Sequence, residues 1–187
     1  FGHMVQKAMK KSIPFLAIAF LGLISFAPVQ KSGKKAPIIP YYTMMNGEMT
    51  NPAIWSSISH SGPGCFCAPA SCSPFHLNSS RFLYIAHAVT LSCDLVLDGN
   101  ATIIVEAGGS LIFTGSASVS GTGDFLVQPG GSVEVAGSLN LIGTGNVTID
   151  GYLYVGGDLT IDGAATFCGN GIVTIVAYFC SWSGNWG

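Results

Sequence analysis

The chain has 187 residues, of which 49% are hydrophobic, 25 are glycine and only 9% are charged. All of its lysines lie at or before Lys35; from Tyr41 onward a single cation, Arg81, stands against nine Asp and Glu, a net charge of −8. A body this acidic cannot neutralise a phosphate backbone, which argues against nucleic acid as a partner.

The first segment, residues 1–30, opens with Lys7, Lys10 and Lys11 and continues as an apolar run from Ile13 to Val29. A basic stretch followed by a hydrophobic one has the form of a secretory signal peptide. The run also sits at the lower limit for a membrane-spanning helix. If it is left uncleaved, this hydrophobic N-terminal segment is the only expected tie to a membrane. Residues 31–40, KSGKKAPIIP, read as a linker, since prolines disfavour regular structure and the lysines keep it solvated. Residues 41–88 form a non-repetitive region rich in Cys and Pro, expected to lead into the C-terminal half of the chain and cap it. Phe82–Ile85 is its clearest strand.

Residues 89–187 are organised by a repeat. Val89–Ser110 reads VTLSCDLVLDGNATIIVEAGGS, Leu111–Ser132 reads LIFTGSASVSGTGDFLVQPGGS, and further copies start at Val133 and Leu153. A period in this range marks a solenoid or an array. Each copy holds three short strand patterns whose apolar residues recur two apart, so they point to one side. Aligning the copies gives six apolar columns. The first is Val89, Leu111, Val133 and Leu153; the second is Leu91, Phe113, Val135 and Val155. Leu95, Ala117, Leu139 and Leu159 make the third, and Leu97, Val119, Leu141 and Ile161 the fourth. Ile103, Phe125 and Val147, then Val105, Val127 and Ile149, complete the set. The expected fold is all-β: a right-handed parallel β-helix of about four coils, with three short strands per coil and Gly-containing corners that permit φ > 0.

The segments Asn51-Pro52-Ala53-Ile54-Trp55-Ser56 and Ile85-Ala86-His87-Ala88-Val89-Thr90-Leu91, followed by Gly-rich β repeats, resemble secreted cell-surface β-solenoid proteins of Bacteroidota. That resemblance implies export and an adhesive or scaffolding role, and it brings no catalytic residues with it.

Six cysteines, Cys65, Cys67, Cys72, Cys93, Cys168 and Cys180, are an even number, as expected for disulfides in an exported chain. Cys93 occupies the corner position that later coils give to Gly115, Gly137 and Gly157, so it is expected to tether the Cys/Pro loop to the first coil. Cys168 and Cys180 flank the last strand and are candidates to staple it. A zinc site from Cys65, Cys67, Cys72 and His76 is the sharper alternative; neither a metal nor a cofactor is expected. Asp98, Asp150 and Asp162 each precede Gly, the ordinary pattern of a turn. Only Arg81 could serve as a cationic group, and it lies outside the repeats, so no catalytic residues are assigned. His60, His76 and His87 are expected to be hydrogen-bonding residues of loops.

Candidate self-association residues fall in two groups. Val96, Ile104, Ile112 and Leu126 are large apolar residues at outward positions, to be covered either by residues 41–88 or by a second subunit. Tyr178, Phe179, Trp182 and Trp186 form an aromatic tail that is either a lid or a contact. The expected function is a secreted structural solenoid that self-associates as an extracellular scaffold or filament. The alternative is a monomeric adhesive module for a surface glycan. A polysaccharide-active enzyme comes third.

Overall fold

The computed structural model describes residues 37–78, 80–182 and 185–186, with side chains described as far as residue 179. The signal-peptide segment, the first part of the linker and the side chains of Cys180, Trp182 and Trp186 lie outside what it describes.

The described chain is a β-solenoid of about five turns with three strands per coil. The strands fall into one eight-stranded and two six-stranded sheets. Within a coil the chain passes from sheet 1 (for example Ala88–Leu91) to sheet 2 (Leu95–Leu97) to sheet 3 (Thr102–Val105) and starts again at Ser110–Phe113. Successive coils pair in parallel and in register, as Leu91 with Phe113 and Phe113 with Val135. The six columns of the repeat are these register partners, and every residue in them is buried. Alternation with period two therefore builds a dry core between three sheets.

The solenoid has about one turn more than the repeat alone counts. Ile39–Thr43, Gly47–Glu48 and Phe75–Leu77 continue the three sheets before the first full repeat. At the other end Ile172–Ile175, Phe179–Trp182 and Asn185–Trp186 continue them beyond the last recognisable copy.

The corners explain the glycines. Gly121 has φ +74°, and a Cβ added there would meet the Gly99 nitrogen of the preceding coil at 2.9 Å. Where the chain turns from sheet 3 into sheet 1, a Cβ on Gly151 would run into the carbonyl oxygen of Gly131. Both positions need an absent side chain for the coils to approach.

A side-chain ladder runs up the corner between sheets 1 and 2. Asp94 Oδ1 accepts the Ser116 N–H (2.8 Å), Ser116 Oγ that of Ser138 (3.2 Å), Ser138 Oγ that of Asp158 (3.1 Å), and Asp158 Oδ1 that of Tyr178 (3.1 Å). Each short side chain satisfies a corner amide that no strand partner reaches.

Candidate assembly face and lateral clusters

The two ends of the solenoid differ. At the leading end Asn51 accepts the Ala53 N–H at 3.0 Å and Pro52 starts a short 3-10 turn, Pro52–Ile54. That turn delivers Ile54 and Trp55 to the core, where both are buried together with Met49. The Trp55 indole N–H donates to the Met49 carbonyl at 2.8 Å, and its ring meets Tyr41 edge-on at 6.1 Å between centroids. Strand Trp55–Ser56 then runs antiparallel along the edge of Ile39–Thr43. The Asn-Pro-Ala-x-Trp-Ser motif thus closes the edge of sheet 3 at this end. Phe75 and Leu77, inward residues of the first coil, are fully buried.

At the trailing end the described residues of the same columns are more exposed. Val173, in register with Leu153, is 36% exposed, and Phe179, in register with Leu159, is 41% exposed. Around them Ile172, Val176 and Tyr178 are exposed, Tyr178 to 76%. From Asn170 to Gly187 the sequence carries no charged residue and no proline. The corner ladder also stops here, because its last position is Tyr178 in place of Asp or Ser. Of the expected aromatic contact residues, Tyr178 and Phe179 therefore lie at the trailing end. Trp182 and Trp186 are placed by backbone register against Asp162 and Phe167, and their side chains are outside the described part.

The other four candidates do not form one patch. Val96 lies on sheet 2, Ile112 on sheet 1, and Ile104 and Leu126 are register partners on sheet 3. All four are half-buried. The strands of residues 41–88 extend the sheets rather than lying over these residues.

Two disulfides join Cys65 to Cys67 and Cys72 to Cys93. The second ties the Cys/Pro loop to the first full coil as the corner position implied. Both consume the thiols that a zinc site would have used. The expectation for the trailing pair needs correction: Cys168 is a free thiol, its sulfur 3.7 Å from the Thr148 hydroxyl. Cys168 pairs with Thr148 in sheet 3 whereas Cys180 pairs with Thr160 in sheet 2, so the solenoid's cross-section puts their backbones on different faces.

A polar cluster near the leading end was not legible in the sequence. His60 Nδ1 lies 2.6 Å from the Thr43 carbonyl, so that nitrogen carries the hydrogen and donates. Its Nε2 lies 2.7 Å from the Glu106 carboxylate, off the line of a well-formed hydrogen bond. Thr43 Oγ1 lies 3.1 Å from His87 Nδ1 and accepts the Ala86 N–H at 3.0 Å. Tyr42 stacks on Tyr84 at 4.7 Å between centroids. Burial, then the neighbouring Tyr42 and Glu106, hold the Tyr84 phenol above its ordinary ionisation range. His60, 46 positions from Glu106, gives no local signal of this partnership.

The carboxylates weighed for catalysis cap backbone. Asp98 and Asp162 accept the amides of Gly99 (2.6 Å) and Gly163 (2.7 Å), and Asp150 accepts that of Asn170 (3.0 Å). Asp98 also lies 3.6 Å from His76 Nε2. Asp150, Asn170 and the exposed ring of Tyr152 line a groove of ≈470 Å³ on the corner between sheets 3 and 1.

Fold and site together define a disulfide-bonded β-solenoid whose two ends differ. The disulfides point to an oxidising, extracellular type of environment, and among the described residues no helix is long and apolar enough to cross a membrane. The chain matches no family model, no curated protein and no solved structure.

Proposed function

We propose that this chain is a secreted structural solenoid that self-associates through its trailing end, serving as an extracellular scaffold at the cell surface. The observation that carries the reading is the row of exposed apolar residues Ile172, Val173 and Val176 on an uncharged edge strand at the trailing end. Edge strands in natural proteins are usually blunted with charge, proline or cover; Ile172–Ile175 has neither charge nor proline. The carboxylates committed to corner amides support a non-catalytic role, and the resemblance to secreted Bacteroidota surface proteins agrees with export.

Sedimentation of the full chain over a wide concentration range tests this. Mass above the 19.3 kDa monomer is expected at micromolar concentration. Val173→Lys should weaken association by about tenfold or more, because a buried unpaired charge at a junction costs about 1.4 kcal/mol or more. A wild-type chain that stays monomeric at millimolar concentration would reject the reading. The lead would then pass to the monomeric glycan module, for which the Tyr152–Asp150–Asn170 groove is the specific support.

A further inference from the structure

We infer that the corner groove between sheets 3 and 1 binds an uncharged polysaccharide, held against the ring of Tyr152 by Asp150 and Asn170. Such a site works whether or not trailing ends associate. Tyr152 is 40% exposed, an aromatic ring in the open on a lateral face. It opens strand Tyr152–Val155, in register between Ser132 and Ile172. The ring therefore stands beside the corner where the chain passes from sheet 3 to sheet 1. Asp150 and Asn170 line the same groove, one coil apart. Asp150 Oδ1 accepts the Asn170 backbone N–H at 3.0 Å and its Nδ2 at 3.5 Å. That contact fixes both polar heads before any ligand arrives. The second Asp150 oxygen, the Asn170 side-chain carbonyl and one Asn170 amide hydrogen take no part in it, so the pair offers acceptors and a donor. Gly131, Gly151 and Gly171 also line the groove and put no side chain into its ≈470 Å³.

A sugar ring matches both parts of this arrangement. Its C–H face packs on an aromatic ring, and its hydroxyls donate as well as accept. A peptide fits less well, because the backbone along the groove is already bonded. The Gly151 and Gly171 N–H groups donate to the carbonyls of Val127 and Ile149, and the Gly131 and Gly151 carbonyls accept from Tyr152 and Ile172. An incoming strand would find no edge there to extend. Charge narrows the sugar further. Asp150 is itself an anion. Arg81, the one Lys or Arg after Lys35, lies three strands away in sheet 3 from Asn146–Ile149, the strand that leads into Asp150. A uronate, sulfate or phosphate group would therefore meet like charge with no cation to offset it. Coils stack about 4.8 Å apart, so a groove over three coils runs about 10 Å along the axis. That length suits a short run of rings within a longer chain.

Affinity electrophoresis of the full chain tests this, in native gels containing a soluble neutral glucan, mannan, xylan or galactan. Polygalacturonate and gelatin serve as the acidic-sugar and polypeptide arms. At least one neutral glycan should retard the wild type. Tyr152→Ala should raise the dissociation constant by about tenfold, as loss of an anchoring aromatic does, whereas Tyr152→Phe keeps the ring and should stay within about threefold. Asn170→Ala leaves the backbone N–H on Asp150 in place and should weaken binding by about threefold or more. Tyr178→Ala removes a more exposed ring on a different corner and should change nothing. Each variant should keep the wild-type circular dichroism spectrum. The site is overturned if none of the four neutral glycans retards the wild type, or if polygalacturonate or gelatin does so in their place. Retardation of Tyr152→Ala equal to that of the wild type, or an equal loss in Tyr178→Ala, would overturn it as well.

Discussion

Phe113 shows how little tolerance the core has for a change at one residue. It is fully buried, with Leu91 below it and Val135 above in the same column. Phe113→Asp would place a charge among aliphatic side chains that offer no hydrogen-bond partner, at a cost of about 4 kcal/mol or more. Against a typical total of about 5–15 kcal/mol, most of the margin would be gone. Thermal denaturation followed by circular dichroism should show a large fall in midpoint; a variant that melts with the parent would mean the column is misassigned. These core residues were readable in advance because an inward position needs only an apolar residue every second place. The corner roles of Asp98, Asp150 and Asp162 were readable too, since Asp before Gly marks a turn whatever the tertiary context. The partnership of His60 with Glu106 was not, because nothing local in either stretch specifies the other.

At the scale of elements, coil matches coil but the flanking pieces do not. In residues 41–88 a long stretch separates Gly47–Glu48 from Phe75–Leu77, which interrupts the repeat period. Ile39–Thr43 also pairs with Arg81–Ile85 rather than with a neighbour one period away, so no fixed spacing announces it. The Cys72–Cys93 disulfide fixes the end of that stretch on the first full coil across a separation of 21 residues. Closing a loop of that size stabilises by about 3 kcal/mol in the chain-entropy account. Cys72→Ser should therefore lower stability by about that amount. Cys65→Ser should cost less, because its disulfide spans a separation of 2 and constrains little chain. Alkylation of the unreduced, denatured wild type, read by mass spectrometry, should modify Cys168 and leave Cys65, Cys67, Cys72 and Cys93 untouched. Labelling at Cys72 or Cys93 would show that the loop is held by packing alone.

For the molecule as a whole, the difference between its ends matters more than the repeat between them. A solenoid of constant cross-section can in principle grow from either end, and the repeat alone is symmetric with respect to that choice. What breaks the symmetry is the 3-10 turn that delivers Ile54 and Trp55 at one end and the uncharged, proline-free strands at the other. Cutting the chain after Ala177 would be a poor test of the open end, because it removes Phe179–Trp182 and uncovers Leu159 and Ile161 in its place. Salt discriminates better. The lateral faces belong to a body of net −8, so side-by-side contact is opposed by like charge that salt screens, with a Debye length of about 10 Å at 0.1 M and about 3 Å at 1 M. The trailing face is apolar and uncharged, so the end-to-end contact should respond little. Between about 0.05 M and about 1 M sodium chloride, the dissociation constant of the trailing-end contact should change by less than about threefold, while lateral clusters emerge only at the high end. If association instead weakens by about tenfold across that range, ion pairs carry the contact, and the junction must lie on the charged lateral faces and not on Val173 and the uncharged edge beside it.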